Sequence, residues 1–134
     1  MEQALSKAGA NDVIPDWQDH CRSDALIADL RALGVPLPSL QPAPSFDSAA
    51  AVIGGAYVLE GSRLGAKLIR RSVDSRFPTA FLDASGGLGW KNFVTFIERV
   101  LPTTLEGAQA QRAAIDTFGV FERAADELPR KVSV

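Results

Sequence analysis

The sequence predicts an all-α fold, and three observations carry that reading. Apolar residues recur at helical rather than strand spacing, β-branched residues are sparse outside those stretches, and the breaks between them fall at proline and glycine. At 134 residues with 46% apolar content, the chain is read as a single domain over 1–134, long enough to bury a core. About four main helices fill it.

Residues 1–15 are the least defined part. MEQALSKAGAN (1–11) reads as a short helix or the tail of one, too small and polar to own a core face. Asp12 to Pro15 makes a turn, with Pro15 suited to a first helical position. A helix is predicted from Asp16 to Leu33, with Leu26, Ile27, Leu30 and Leu33 on one side and Gly34 as its stop. VPLPSLQPAPSFD (35–47), with four prolines, is an extended connector.

The longest element follows. Asp47 or Ser45 caps a helix that runs to about residue 73 and ends in Lys67, Arg70 and Arg71, cations where the helix dipole favours them. That cluster is a solvated helix end or a grip on an acidic ligand or partner. Beyond the loop DSRFPTAFLDASGG, a helix over 88–101 places Trp90, Phe93, Val94, Ile97 and Val100 at helical spacing, and Pro102 ends it. A last helix over 104–128 carries Ile115, Phe118, Phe121 and Ala125. Trp17 and Trp90 read as core anchors.

Charge and composition exclude several functions. The net charge is −2 with basic residues scattered, which leaves no electrostatic footprint for nucleic acid or an anionic membrane. No apolar run approaches the ~18–20 residues of a membrane span, and the N-terminus lacks a signal-peptide pattern. One cysteine, Cys21, forms no internal disulfide, so a reducing, cytoplasmic location is expected. No Cys/His cluster has metal-site spacing.

The long helix contains an anomaly. Gly54, Gly55, Gly61 and Gly65 sit in its interior, where each glycine costs roughly 0.5–1 kcal/mol relative to alanine. Positions 61 and 65 fall within about 20° of the line of Gly54, giving a stripe without side chains. The opposite side carries Ile53, Tyr57, Leu64 and Leu68, which are expected to pack on other helices. A bare stripe is either a seam where a neighbouring helix comes close or a floor on which a flat ligand lies. Spacing alone leaves both open.

GGAYVLEGSRLGAKLI (54–69) resembles the distal-helix motif of the bacterial heme oxygenase superfamily, above all the short biliverdin-forming enzymes associated with bacteriophytochromes. The likeness extends over roughly residues 12–128. It implies a heme-oxygenase-like helical fold in which Gly61 and Gly65 lie over the heme plane and Ser62 follows in the distal motif. By the same resemblance Lys91, in GLGWKNFVTFIERVL, reaches a heme propionate, and Phe118 borders the heme. Ala66 stands where many members have glycine, and Ser62 where animal enzymes carry an acidic residue.

The family's iron ligand is a histidine on a first helix far upstream of the glycine motif, which has no counterpart in this sequence. The one histidine, His20, reads as a surface or helix-start residue with Trp17 and Asp24 as neighbours, so no metal ligand is assigned. Two functions follow. One is a binding or regulatory module that has lost the proximal ligand and works as a homodimer or with a protein partner, covering the apolar side that the absent helices would cover. The other is a heme oxygenase that opens heme to biliverdin, iron and CO. Glu60 and Glu98 form no catalytic dyad, and Glu60 with Arg63 is an i,i+3 ion pair.

Overall fold

The computed structural model describes residues 1–129, and within them the chain is helical with no strand. Eight helices follow in order: α1 Glu2–Lys7, α2 Ala10–Val13, α3 Trp17–His20, α4 Ser23–Ala32, α5 Ala49–Ser72, α6 Ala80–Asp83, α7 Trp90–Val100 and α8 Thr104–Asp126. The end of the last predicted helix is therefore two residues shorter than expected. Two long rods, α5 and α8, pack on each other and carry the rest.

Side-chain caps start both rods. Ser48, rather than Asp47 or Ser45, caps α5, its hydroxyl accepting the Ala51 amide at 3.1 Å. At α8 the Thr103 hydroxyl accepts the Glu106 amide at 3.2 Å while the Glu106 carboxylate reaches back to the Thr103 amide, a capping box.

The N-terminal segment overturns its sequence reading. Leu5, Ala10 and Ile14 are essentially fully buried, and they form one core with Trp17, Val52, Ile53, Ala56, Phe93 and Phe96. Three well-spaced apolar residues suffice because they enter a slot beside α5 that is kept open by Gly55. A Cβ there would come within 2.6 Å of Phe46 and 2.9 Å of Leu5. Ile53 is thus covered by this chain itself.

The predicted 16–33 helix is broken at Cys21 and Arg22. Glu2 is the cause: its carboxylate accepts from the Arg22 amide at 2.7 Å and from the Ser23 amide and hydroxyl at 2.9 and 2.5 Å, seeding a new helix start from outside. The apolar side expected for that helix is not buried, since Leu26 and Leu33 are exposed. Asp29 is the buried residue of α4, and its carboxylate accepts the Ala80 and Phe81 amides at the start of α6.

The inner face of α8 is lined by small residues. Ala110, Ala113, Thr117 and Val120 turn inward, while Ile115, Phe118 and Phe121 are exposed. Small residues win the inner face because α5 approaches closely: a Cβ on Gly54 would run into the Ala110 backbone. At Gly54 the stripe is a helix seam. Tyr57, Leu64 and Leu68, expected to pack on other helices, are exposed on α5.

Candidate functional site

One turn beyond that seam, the same stripe opens into a groove. Tyr57, Val58, Gly61 and Ser62 of α5, Trp90 of α7, and Phe118 and Phe121 of α8 line a cavity of about 450 Å³. Trp90 is half-buried rather than a core anchor, and it packs against Tyr57 with ring centroids 5.2 Å apart. A Cβ on Gly61 would make ordinary contact with Trp90 at 3.6 Å, and one on Gly65 would meet nothing within 4 Å. The protein's own packing therefore explains Gly54 and Gly55 but leaves Gly61 and Gly65 unexplained.

The Ser62 side chain on the groove is held in place. Arg22, itself buried, donates from Nη2 to the Ser62 hydroxyl at 2.7 Å and to the Leu59 carbonyl at 3.2 Å, and the Ser62 hydroxyl donates to Leu59 at 2.6 Å. The groove is thus a largely apolar, flat-floored surface with aromatic walls and, at Ser62, a hydroxyl oriented by hydrogen bonds. Of the sequence-predicted site residues, Gly61, Ser62 and Phe118 come together there. Gly65 continues the floor one turn on, and Lys91 is exposed next to Trp90 in sequence but does not line the groove.

His20 is neither a surface residue nor available to a ligand. It is 4% exposed, with Nδ1 2.6 Å from Glu60 Oε1 and Nε2 taking the Leu88 amide at 3.4 Å. Both ring nitrogens are therefore engaged within the fold. Trp17 stacks on the ring, Phe93 lies tilted against it, and Gly87 leaves room for it, since a Cβ there would come within 2.6 Å of the imidazole.

Glu60 is the hub of this cluster. Burial pushes its carboxyl up, but the His20 hydrogen bond and charge together with Arg63 outweigh that and hold it below the ordinary value of 4.5. Arg63 donates to Glu60 at 3.1 Å, the expected i,i+3 pair, and continues to the Ala84 and His20 carbonyls. The Glu60–His20 pairing, 40 residues apart, was missed. No spacing rule could have found it, because it depends on how α3 docks on α5. Cys21 beside it is inert: burial, with Glu2 adding, pushes the thiol up to about 11.

A flat planar ligand such as heme fits this geometry on two counts: a floor without side chains that the fold does not require, and exposed aromatic edges at Phe118 and Phe121. Comparison with known proteins agrees. The chain is 35% identical over 128 residues to a heme oxygenase of Xanthomonas campestris, a match covering 90% of this chain and 77% of that one. It is 32% identical over 121 residues to the heme oxygenase PigA of Pseudomonas aeruginosa, covering 81% of this chain and 60% of that protein. No protein-family model matches the chain, and no solved structure matches it significantly. The glycine floor, the helical frame and these two alignments lead to one conclusion: the chain belongs to the heme oxygenase family.

Proposed function

We propose that this chain is a heme-oxygenase-like binding module that presents the distal wall of a heme site, with the opposite wall and any iron ligand supplied by another protein surface. The carrying observation is the contrast between an open glycine floor at Gly61 and Gly65 and a sole histidine whose ring nitrogens are already engaged. Gly61 and Gly65 let the macrocycle approach the α5 backbone, Phe118 and Phe121 wall it, and Ser62 offers one oriented hydroxyl beside it. Lys91 is the cation nearest in sequence to the Trp90 rim, suited to a propionate. Tyr57, Leu64, Leu68, Ile69, Phe118 and Phe121 form an exposed apolar surface that a partner or a second copy would cover.

The second reading is catalysis, and the observation favouring it is the identity to two heme oxygenases along most of the chain. In that case bound heme supplies the redox chemistry with O2 and a reductant, and the residues above orient it and restrict the space on the distal side. Hemin titration separates the readings. A shifted Soret band without ascorbate-driven biliverdin supports the module, a band with biliverdin supports the enzyme, and no band at stoichiometric hemin contradicts the enzyme. Light scattering tests the partner surface: a mass well above the 14.3 kDa of one chain is expected.

A further inference from the structure

A second cavity, of about 310 Å³, lies on roughly the opposite side of α5 from the groove, since Arg63, Lys67 and Arg70 sit about 180–240° around the helix from Gly61. Arg22, Arg63, Lys67 and Arg70 line it against only two carboxylates, Glu60 and Asp83. Both carboxylates are already engaged, Glu60 by His20 and Arg63 and Asp83 by Arg70 at 2.9 Å. Lys67 forms no ion pair among the described residues.

Arg22 is the telling residue. It is 4% exposed, faces Phe81 with its guanidinium 4.5 Å from the ring centroid, and leaves Nε without a partner. No carboxylate lies within ion-pair distance of it among the described residues. A buried guanidinium beside a second one is costly unless a counter-charge compensates it. Burial and then the neighbouring Arg63 push its pKa down, and the charges of Glu2 and Glu60 offset this only in part.

We propose that this cavity binds a phosphate group, free or as a small phosphate monoester, held by Arg22, Lys67 and Arg70. Four cations against two carboxylates leave a formal surplus of two positive charges, which matches a phosphate dianion, and guanidinium forks suit its oxygens. The cavity is larger than one phosphate, which leaves space for the organic part of a monoester.

The test is isothermal titration of the full chain with inorganic phosphate and with glycerol 3-phosphate, in buffer whose ionic strength is held constant with sodium chloride. Saturable binding of either probe is expected, and the tighter of the two identifies the free or the esterified source. Lys67→Glu is expected to weaken it at least tenfold, and because Lys67 is exposed and forms no ion pair among the described residues, that variant keeps the wild-type melting curve. Lys7→Glu, far from the cavity, keeps wild-type binding. No saturable binding of either probe, or undiminished binding by Lys67→Glu, overturns the proposal. The titrations use hemin-free protein, so neither result depends on whether hemin binds.

Discussion

The two halves of α5 carry the same sequence device for different ends. In the first half, Gly54 and Gly55 are buried because the Ala110 backbone and the Leu5 and Phe46 side chains occupy the space a Cβ would need. In the second half, Gly61 and Gly65 have that space free or lightly bordered. A glycine that the fold needs and a glycine that the fold merely tolerates look alike in sequence. They differ only in what stands opposite.

Glu60 sits at the junction between the halves, and it gives the largest expected effect. Glu60→Leu leaves His20 and Arg63 without their buried acceptor, and breaking such a pair from one side costs about 3–5 kcal/mol. Urea denaturation at neutral pH reads the loss. The same pair sets an acid limit. A carboxyl whose folded pKa is depressed contributes stability that is fully present above its unfolded value of 4.5 and is lost as pH falls through the lower folded value. A melting temperature that declines below pH 4.5 in the wild type, with the decline reduced in Glu60→Gln, is the expected pattern.

The glycine comparison itself comes next. Gly54→Ala drives a methyl group into the α8 backbone and is expected to cost roughly 1–3 kcal/mol, an overpacking penalty. Gly65→Ala meets nothing and is expected to stabilise by roughly 0.5–1 kcal/mol through helix propensity. Effects of like sign and similar size at the two positions in denaturant titrations would erase the distinction between the halves. The smallest effect is chemical: with its thiol pushed up to about 11, Cys21 is expected to react with iodoacetamide at pH 8 far more slowly than free cysteine.

How much of this was legible without coordinates varies along the chain. The two long rods were, because sustained helical periodicity is a local signal, although the cap of α5 is Ser48 rather than Asp47 or Ser45. The three groove residues Gly61, Ser62 and Phe118 were also found, through the resemblance carried by the α5 motif. What failed was whatever depends on docking. Residues 1–11 looked too small and polar for a core and 12–15 read as a turn, yet Leu5 packs beside Gly55 and Ile14 joins the same core. The sequence did not say which face of α8 packs inward: close approach to Gly54 selects Ala110, Ala113 and Thr117 there and turns Phe118 outward. His20 looked like a surface residue because its partner lies 40 positions away. The break at Cys21 and Arg22 comes from Glu2, equally distant in kind.

The outward aromatics of α8 and the unexplained glycines of α5 converge on one claim, that the groove floor at Gly61 and Gly65 receives a planar ligand. Hemin titration of Gly65→Leu beside the wild type tests it most directly, because a side chain at 65 meets nothing in the protein itself. The expected result is a melting temperature at or above that of the wild type, together with hemin affinity at least tenfold weaker by the Soret band. Unchanged hemin affinity in a folded Gly65→Leu protein would contradict it.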